Sequence, residues 1–357
     1  MIRTESRTED GGAGLGVRPF RYPPALPLAR TPTPIERLDR LSEDFGVEID
    51  VKRDDLTGLG LTGNKVRKLE FLLAAAHDSR CDSVITCGGV QSNHARATAL
   101  AAVKLGMAPH LVLRADEPPR GAGGPPVPPA SAEGNLFLSK LAGATIRWIT
   151  RDEWPRRDEI MREEAAALLA REGRRSYVIP EGGSNALGAW GYVRCAEEVA
   201  VHEERTGASY DLVVCASGSG GTQAGLLAGR GLLGRKWRVL SFAVCDSALH
   251  FKNVVEGILC DLATHYSLHI PGAEDAFECD DSYIGAGYGV SRPEEIETIR
   301  EAAATEGLLL DPTYTGKAFH GLLSEIRAGR IARGTRVLFV HTGGLFGLFP
   351  KAKEFGL

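Results

Sequence analysis

Residues 211–225 read DLVVCASGSGGTQAG: an apolar run, a cluster of glycines and serines, then the opening of a helix. Strand, tight turn and helix in that order are the unit from which parallel α/β sheets are built. The turn falls at the strand's carboxyl end, where such folds bind ligands. Successive small residues let backbone N–H groups converge on an anion at the helix N-terminus, where the helix dipole adds to the attraction. Four glycines in the nine residues 217–225 exceed what a turn requires. Gly218, Ser219, Gly220, Gly221 and Thr222 are therefore candidate phosphate ligands. No Lys-Ser/Thr pair follows, which excludes a Walker A loop. As a dinucleotide fingerprint the stretch is imperfect, because Gln223 stands where Gly or Ala belongs. Asp246, at the end of the next strand, keeps an NAD-dependent dehydrogenase as an alternative.

The same alternation extends in both directions. SVITCGG (83–89) precedes a helical pattern, and HLVLR (110–114) follows it. A helix (133–143), a strand (145–150), a helix (157–173), a strand (176–180) and a long helix from 186 lead to the opening stretch. RVLSFAVC, the helical 294–307 and RVLFVHTGG close the chain. This pattern predicts parallel-rich twisted sheets with helices on both faces. The length of 357 residues suggests two domains. Residues 1–18 read as a loosely ordered tail, and 116–130 as a Pro/Gly-rich insertion without a functional role.

A net charge of −4 gives no reason to expect a nucleic acid or an anionic membrane as partner, and no apolar run reaches the length of a membrane span. Seven cysteines, none in C-x-x-C spacing, fit thiols kept reduced in a cytoplasm better than a disulfide framework or a metal site.

TGNKVRKLEFLL (62–73) places Asn64 as a helix cap and Lys65 as the first helical residue. At about 100° per residue, Val66, Leu69, Leu72 and Leu73 define the apolar face. Lys65 falls roughly 40° from its centre, Lys68 roughly 100°, and Arg67 nearly opposite. Lys65 is thus expected inward, Lys68 at the border and Arg67 in water. A desolvated amine attacks aldehydes, and pyridoxal phosphate carries both an aldehyde and a phosphate. Two further glycine-rich exits offer partners. In GGVQSNHARA (88–97), Ser92 or Asn93 either caps a helix or faces a substrate, and His94 is either structural or a base. In DPTYTGK (311–317) and HTGG (341–344), Tyr314 and Thr342 stand near a strand end.

Taken together, VKRDDLTG, GNKVRKLE, GGVQSNH, EGGSNALGAWGY, SGSGGTQAG, DPTYTGK and HTGG, in this order over residues 20–350, resemble the 1-aminocyclopropane-1-carboxylate deaminase and D-cysteine desulfhydrase family. The resemblance implies the tryptophan-synthase-β-like fold (fold type II) and pyridoxal 5'-phosphate as cofactor. The large domain would be 19–63 plus 181–357, with a smaller α/β domain, 64–180, inserted into it; a homodimer is usual. Lys65 would attach the cofactor, and Asn93 would help hold its ring. Ser92, Asn93 and His94 would meet the substrate, whose carboxylate lies at that helix start. Residues 218–222 would bind phosphate, and Tyr288 and Tyr314 would line the substrate side.

The departures from the deaminase pattern point within the family. Deaminases carry Glu at position 315 and Leu at 342, whereas this chain has Thr315 and Thr342; they carry Gln at the position of His94. A hydroxyl at the pyridine nitrogen leaves it neutral, which suits loss of a good β-leaving group better than opening a cyclopropane. The expected reaction is α,β-elimination from D-cysteine or a related amino acid, with Lys65, or Ser92 assisted by a neighbour, taking the α-proton. L-Cysteate, the cyclopropane amino acid, β-replacement and a non-catalytic binding protein are the alternatives.

Overall fold

The computed structural model describes residues 20–115, 124–272 and 276–356. The tail expected at 1–18 and part of the Pro/Gly-rich segment lie outside them. The chain begins with β1 (Ile35–Arg37), α1 (Asp39–Phe45) and β2 (Glu48–Lys52). Next come α2 (Lys65–Asp78), β3 (Ser83–Gly89), α3 (Asn93–Lys104), β4 (Ala108–Arg114) and α4 (Gly134–Leu141). β5 (Thr145–Ile149), α5 (Arg157–Glu172) and β6 (Ser176–Val178) follow. Then come α6 (Ala186–Thr206), β7 (Leu212–Ser217), α7 (Gly221–Leu232), β8 (Arg238–Ala243), α8 (Ala248–Tyr266) and β9 (Phe277–Asp280). The chain finishes with α9 (Pro293–Glu306), α10 (Thr315–Arg327), β10 (Arg336–Val340) and α11 (Leu345–Leu348).

Two sheets result. One has six strands in the order β1-β2-β10-β7-β8-β9, the other four in the order β5-β4-β3-β6. All neighbours run parallel except β1 and β2. The four-stranded sheet is built wholly from chain between β2 and β7. The unbroken apolar run of β7 follows from burial on both faces. Val213 and Cys215 pack with Trp190, Val193, Leu226 and Leu227 of α6 and α7. Leu212 and Val214 point the other way, into Phe319, Leu322 and Leu323 of α10. No helix among the described residues is long and apolar enough to cross a membrane, and all seven cysteines are free.

One expectation fails here. Arg67 is not in water: it is wholly buried, as is Lys68. The α2 surface expected to be solvated packs against α6, where a side chain at Gly191 would lie 2.6 Å from the Arg67 backbone. Arg67 instead makes buried ion pairs with Asp54 and Glu198, both at 2.7 Å.

Candidate active site

Three glycine-rich segments meet at the start of α2. Gly63 adopts a φ of +92°, and a Cβ there would lie 2.9 Å from the Thr342 carbonyl, so only glycine fits. The Asn64 N–H donates to that carbonyl at 3.0 Å. The Asn64 side chain does not cap its own helix; it donates to Thr222 Oγ1 at 3.1 Å. The first turn of α2 is thereby tied to the β10 exit and to the start of α7.

Lys65 is half-buried, its Nζ 3.4 Å from the Gly182 carbonyl. Burial lowers its pKa to about 8, against the opposing pull of the Glu181 carboxylate. Lys68 Nζ donates to the Gly182 carbonyl (3.2 Å) and to Ser184 Oγ (3.1 Å). Burial, and then the charge of Lys65, hold its pKa well below that of an ordinary lysine. At the start of α7, Gly220 has a φ of 73°. A Cβ on Gly221 would meet Ser184 Oγ at 2.6 Å and Lys68 Nζ at 2.8 Å. The Gly221 N–H closes the turn on the Ser219 carbonyl at 2.9 Å, and the buried Lys68 amine lies beside it, so only small residues fit at the start of α7.

A cavity of about 240 Å³ opens between these elements. Lys65, Gly218, Ser219, Gly220 and Thr222 line one side. Ser92, Asn93 and His94 line another, and Tyr288, Tyr314 and Thr342 complete it. Gly221 and Thr315 are not among the lining residues. Ser92 is both cap and wall: its Oγ accepts the Ala95 N–H at 3.1 Å while facing the cavity. Asn93 Oδ1 accepts from Asn135 Nδ2 (2.9 Å), and Asn135 Oδ1 in turn accepts from the buried Arg96 (3.1 Å). Thr86 donates its hydroxyl proton to the Ile179 carbonyl, which leaves His94 Nε2–H as donor to Thr86 Oγ1 at 2.8 Å. Burial and the two lysines depress the His94 pKa strongly, so its imidazole is neutral.

The phenols of Tyr288 and Tyr314 are hydrogen-bonded to each other, rings edge to face at 5.8 Å. Burial raises both pKa values, so both stay protonated. The loop carrying Tyr288 is pinned from beneath by Lys317. Its Nζ donates to the carbonyls of Ile284 (2.6 Å), Gly287 (2.9 Å) and Val290 (2.8 Å). Thr315 is wholly buried; its hydroxyl donates to Asp311 Oδ1 and accepts the Asp311 N–H, both at 2.8 Å. Its expected place in the wall falls to Thr342 alone, because Asp311 turns Thr315 inward.

Sequence reasoning missed Glu181, Arg114, Trp154 and Cys245 and weighed Asp246 only for a nicotinamide site; all five line the cavity. Arg114 ends β4 and Asp246 follows β8, so the rule that parallel strands end at ligands was the available signal. Gln223 is no ligand candidate: it ties α7 to the sheet, donating to the Glu278 carbonyl (2.7 Å) and accepting from Ser241 (2.8 Å).

Comparison with known proteins agrees with this geometry. The pattern described as "Pyridoxal-phosphate dependent enzyme" matches residues 26–343. The chain is 41% identical to the bifunctional D-cysteine desulfhydrase/1-aminocyclopropane-1-carboxylate deaminase of Arabidopsis thaliana, over 92% of this chain and 80% of that one. It is 39% identical to the D-cysteine desulfhydrase of Serratia proteamaculans, over 91% and 95%. The crystal structure of an ACC deaminase homologue superposes with a TM-score of 0.83 at 37% identity, covering 94% of this chain and 96% of that one. A fungal L-serine ammonia-lyase from Rhizomucor miehei, at 16% identity and a TM-score of 0.63, shares the fold.

Proposed function

The chain belongs to the pyridoxal-phosphate dependent enzymes, in the 1-aminocyclopropane-1-carboxylate deaminase and D-cysteine desulfhydrase family, and we propose that it catalyses α,β-elimination on D-cysteine, giving pyruvate, ammonia and sulfide. The observation that carries this reading is the pairing of an amine with a lowered pKa, Lys65, with a glycine-rich turn at a helix N-terminus in one cavity. Those residues fit the cofactor: an amine for its aldehyde, and a turn of small residues at the start of α7, with Lys68 beside it, for its phosphate. When bound, pyridoxal phosphate supplies the electron sink that acidifies the substrate's α-carbon.

The chain's own residues supply the rest. Lys65 Nζ, which would hold the cofactor, would take the α-proton once its amine is free. Ser92 has no basic neighbour to activate it among the described hydrogen bonds, so it is assigned to binding. The start of α3 receives the substrate carboxylate, and Asn93, held by Asn135, keeps its orientation. The paired phenols share one proton between them, which leaves the other for the departing sulfur. Neither Thr342 nor the committed hydroxyl of Thr315 places a carboxylate at the cofactor's nitrogen, which supports elimination over cyclopropane opening. The family resemblance adds a homodimer, and the free thiols favour the cytoplasm.

The test is a pair of substitutions. Lys65→Ala should abolish the visible absorption band of the lysine-bound cofactor, whereas Lys68→Ala should keep the band and weaken cofactor retention. The reverse pattern overturns the assignment. Keto-acid release is then compared between D-cysteine, L-cysteine and the cyclopropane amino acid. Dominant 2-oxobutyrate from the last would replace this reading with the deaminase.

A further inference from the structure

Lys317 is the third residue of α10 and wholly buried, so its charge sits at the positive end of a helix. Burial and the helix dipole both disfavour a cation there. The surroundings reverse that balance. The three protons of its ammonium go to the carbonyls of Ile284, Gly287 and Val290 at 2.6–2.9 Å, and Glu295 Oε2 lies 3.5 Å away. Glycines make this ring of carbonyls possible. Gly285, Gly287 and Gly289 take φ values of +71°, +129° and +70°, so the chain curls and every third carbonyl turns to one side. At Gly285 a Cβ would also run into Glu295 Oε1.

Backbone carbonyls converging on one positive charge are also how proteins hold dehydrated monovalent cations. The oxygens present suit one charge rather than two. Glu295, the one carboxylate of the ring among the described residues, is shared with Arg292 at 2.9 Å, whereas divalent ions gather several carboxylates. The ring also lies where a charge has leverage on the cavity. Tyr288 is carried between the Gly287 and Val290 carbonyls, and its hydroxyl is joined to that of Tyr314, one turn before Lys317. Ser291 Oγ ties the end of the loop to the Pro312 carbonyl at 3.1 Å.

We infer that residues 284–290 form a monovalent-cation site whose ion the chain supplies itself, as the Lys317 ammonium. With Lys317 shortened to alanine, the ring takes potassium or ammonium from solution. The positive charge, rather than the lysine stem, sets the loop's conformation and so holds Tyr288 against Tyr314. Lys317 is thus a positioning residue, since it is not among those lining the cavity. The wild-type protein is accordingly indifferent to which monovalent cation surrounds it. This goes beyond the elimination reading and stands without it.

The experiment uses the cofactor-loaded wild type, Lys317→Ala and Lys317→Met, each in tetramethylammonium chloride at one ionic strength. Potassium, ammonium, methylammonium or lithium chloride then replaces part of that salt, and amide exchange across 284–290 is followed. The wild type should stay within about twofold in every salt. Lys317→Ala should exchange faster, and potassium, ammonium or methylammonium should slow it saturably by at least about tenfold, the order of one recovered charge-assisted contact. Lithium, too small to reach all three carbonyls, should not. Lys317→Met fills the space without a charge and should stay fast in every salt. No slowing in Lys317→Ala overturns the site, and so does equal slowing in Lys317→Met, which is a general salt effect. If Lys317→Ala folds in none of these salts, the same series on Lys317→Ser decides by the same two outcomes. Where the wild type turns over D-cysteine, kcat of Lys317→Ala should rise in the salts that slow exchange; an unchanged kcat overturns the hold on Tyr288. A wild type without turnover fails the elimination reading alone, and the exchange series still decides the site.

Discussion

Lys65 and Lys68 stand one helical turn apart on α2, yet the fold gives them different tasks. Lys68 is locked between the Gly182 carbonyl and Ser184, while Lys65 has only a long contact and a face on the cavity. With its pKa near 8, the Lys65 amine is largely protonated at pH 7 and free above pH 8. The rate at which apoprotein captures pyridoxal phosphate should rise with pH to about 8 and then level off. Glu181 holds this pKa up, so Glu181→Gln should move the inflection to lower pH, read by following the absorption band in time. The same depressed pKa has a stability sign. The unfolded chain binds the proton more tightly, so the cost of burying Lys65 is present in full below pH 8 and is relieved as pH rises toward 10.5. Lys65→Met should therefore stabilise apoprotein more at pH 7 than at pH 10, measured by urea denaturation.

Among the elements, those with a strand followed by glycine were legible: β3, β7 and β10 and the helices after β3 and β7 follow from apolar runs and their exits. The phase of α2 was legible on its apolar side and misleading on the other. A hydrophobic wheel assumes that water covers the polar face, but α6 covers it here, and charge pairing makes Arg67 a core residue. Thr315 was misplaced for a similar reason, since the Asp311 side chain that claims it cannot be seen in a linear pattern. Glu181 escaped because a lone charge in a sequence has no signature until its neighbours are known, and Arg114 because its one signal, a place at the end of β4, is shared by every residue that closes a parallel strand. The loop carrying Tyr288 shows what an element-scale contact does. Lys317→Met would leave three carbonyls without their donor, at about 1–3 kcal/mol for each that stays buried and unpaired. We expect faster amide exchange across 284–290 and a fall in kcat, with the cofactor band retained, because the Lys317 hydrogen bonds go to that loop.

On the scale of the whole molecule, Arg67 belongs to a charge cluster that fastens the chain's entry segment to α6. Two cations, Lys52 and Arg67, meet two carboxylates, Asp54 and Glu198; Tyr192 donates to Asp54 at 2.7 Å. Removing one member strands buried charge, so Arg67→Met should cost about 3–5 kcal/mol. Adding Asp54→Asn should recover part of that loss in a double-mutant cycle by urea denaturation.

The strand order carries a last consequence, for the chain as the ribosome delivers it. β10 lies between β2 and β7, so a strand made near the end of synthesis must slide into the middle of the larger sheet, between partners made long before it. The four-stranded sheet has all its strands once residue 178 has emerged. The larger one waits with a gap at its centre until residue 340 arrives. Such long-range insertion is slow and exposes apolar edges while it waits. A chain stopped at residue 335 should keep the protease-resistant 83–178 segment, yet aggregate through the open edges of β2 and β7 and fail to retain pyridoxal phosphate. Supplying 336–357 in trans as a peptide should relieve the aggregation.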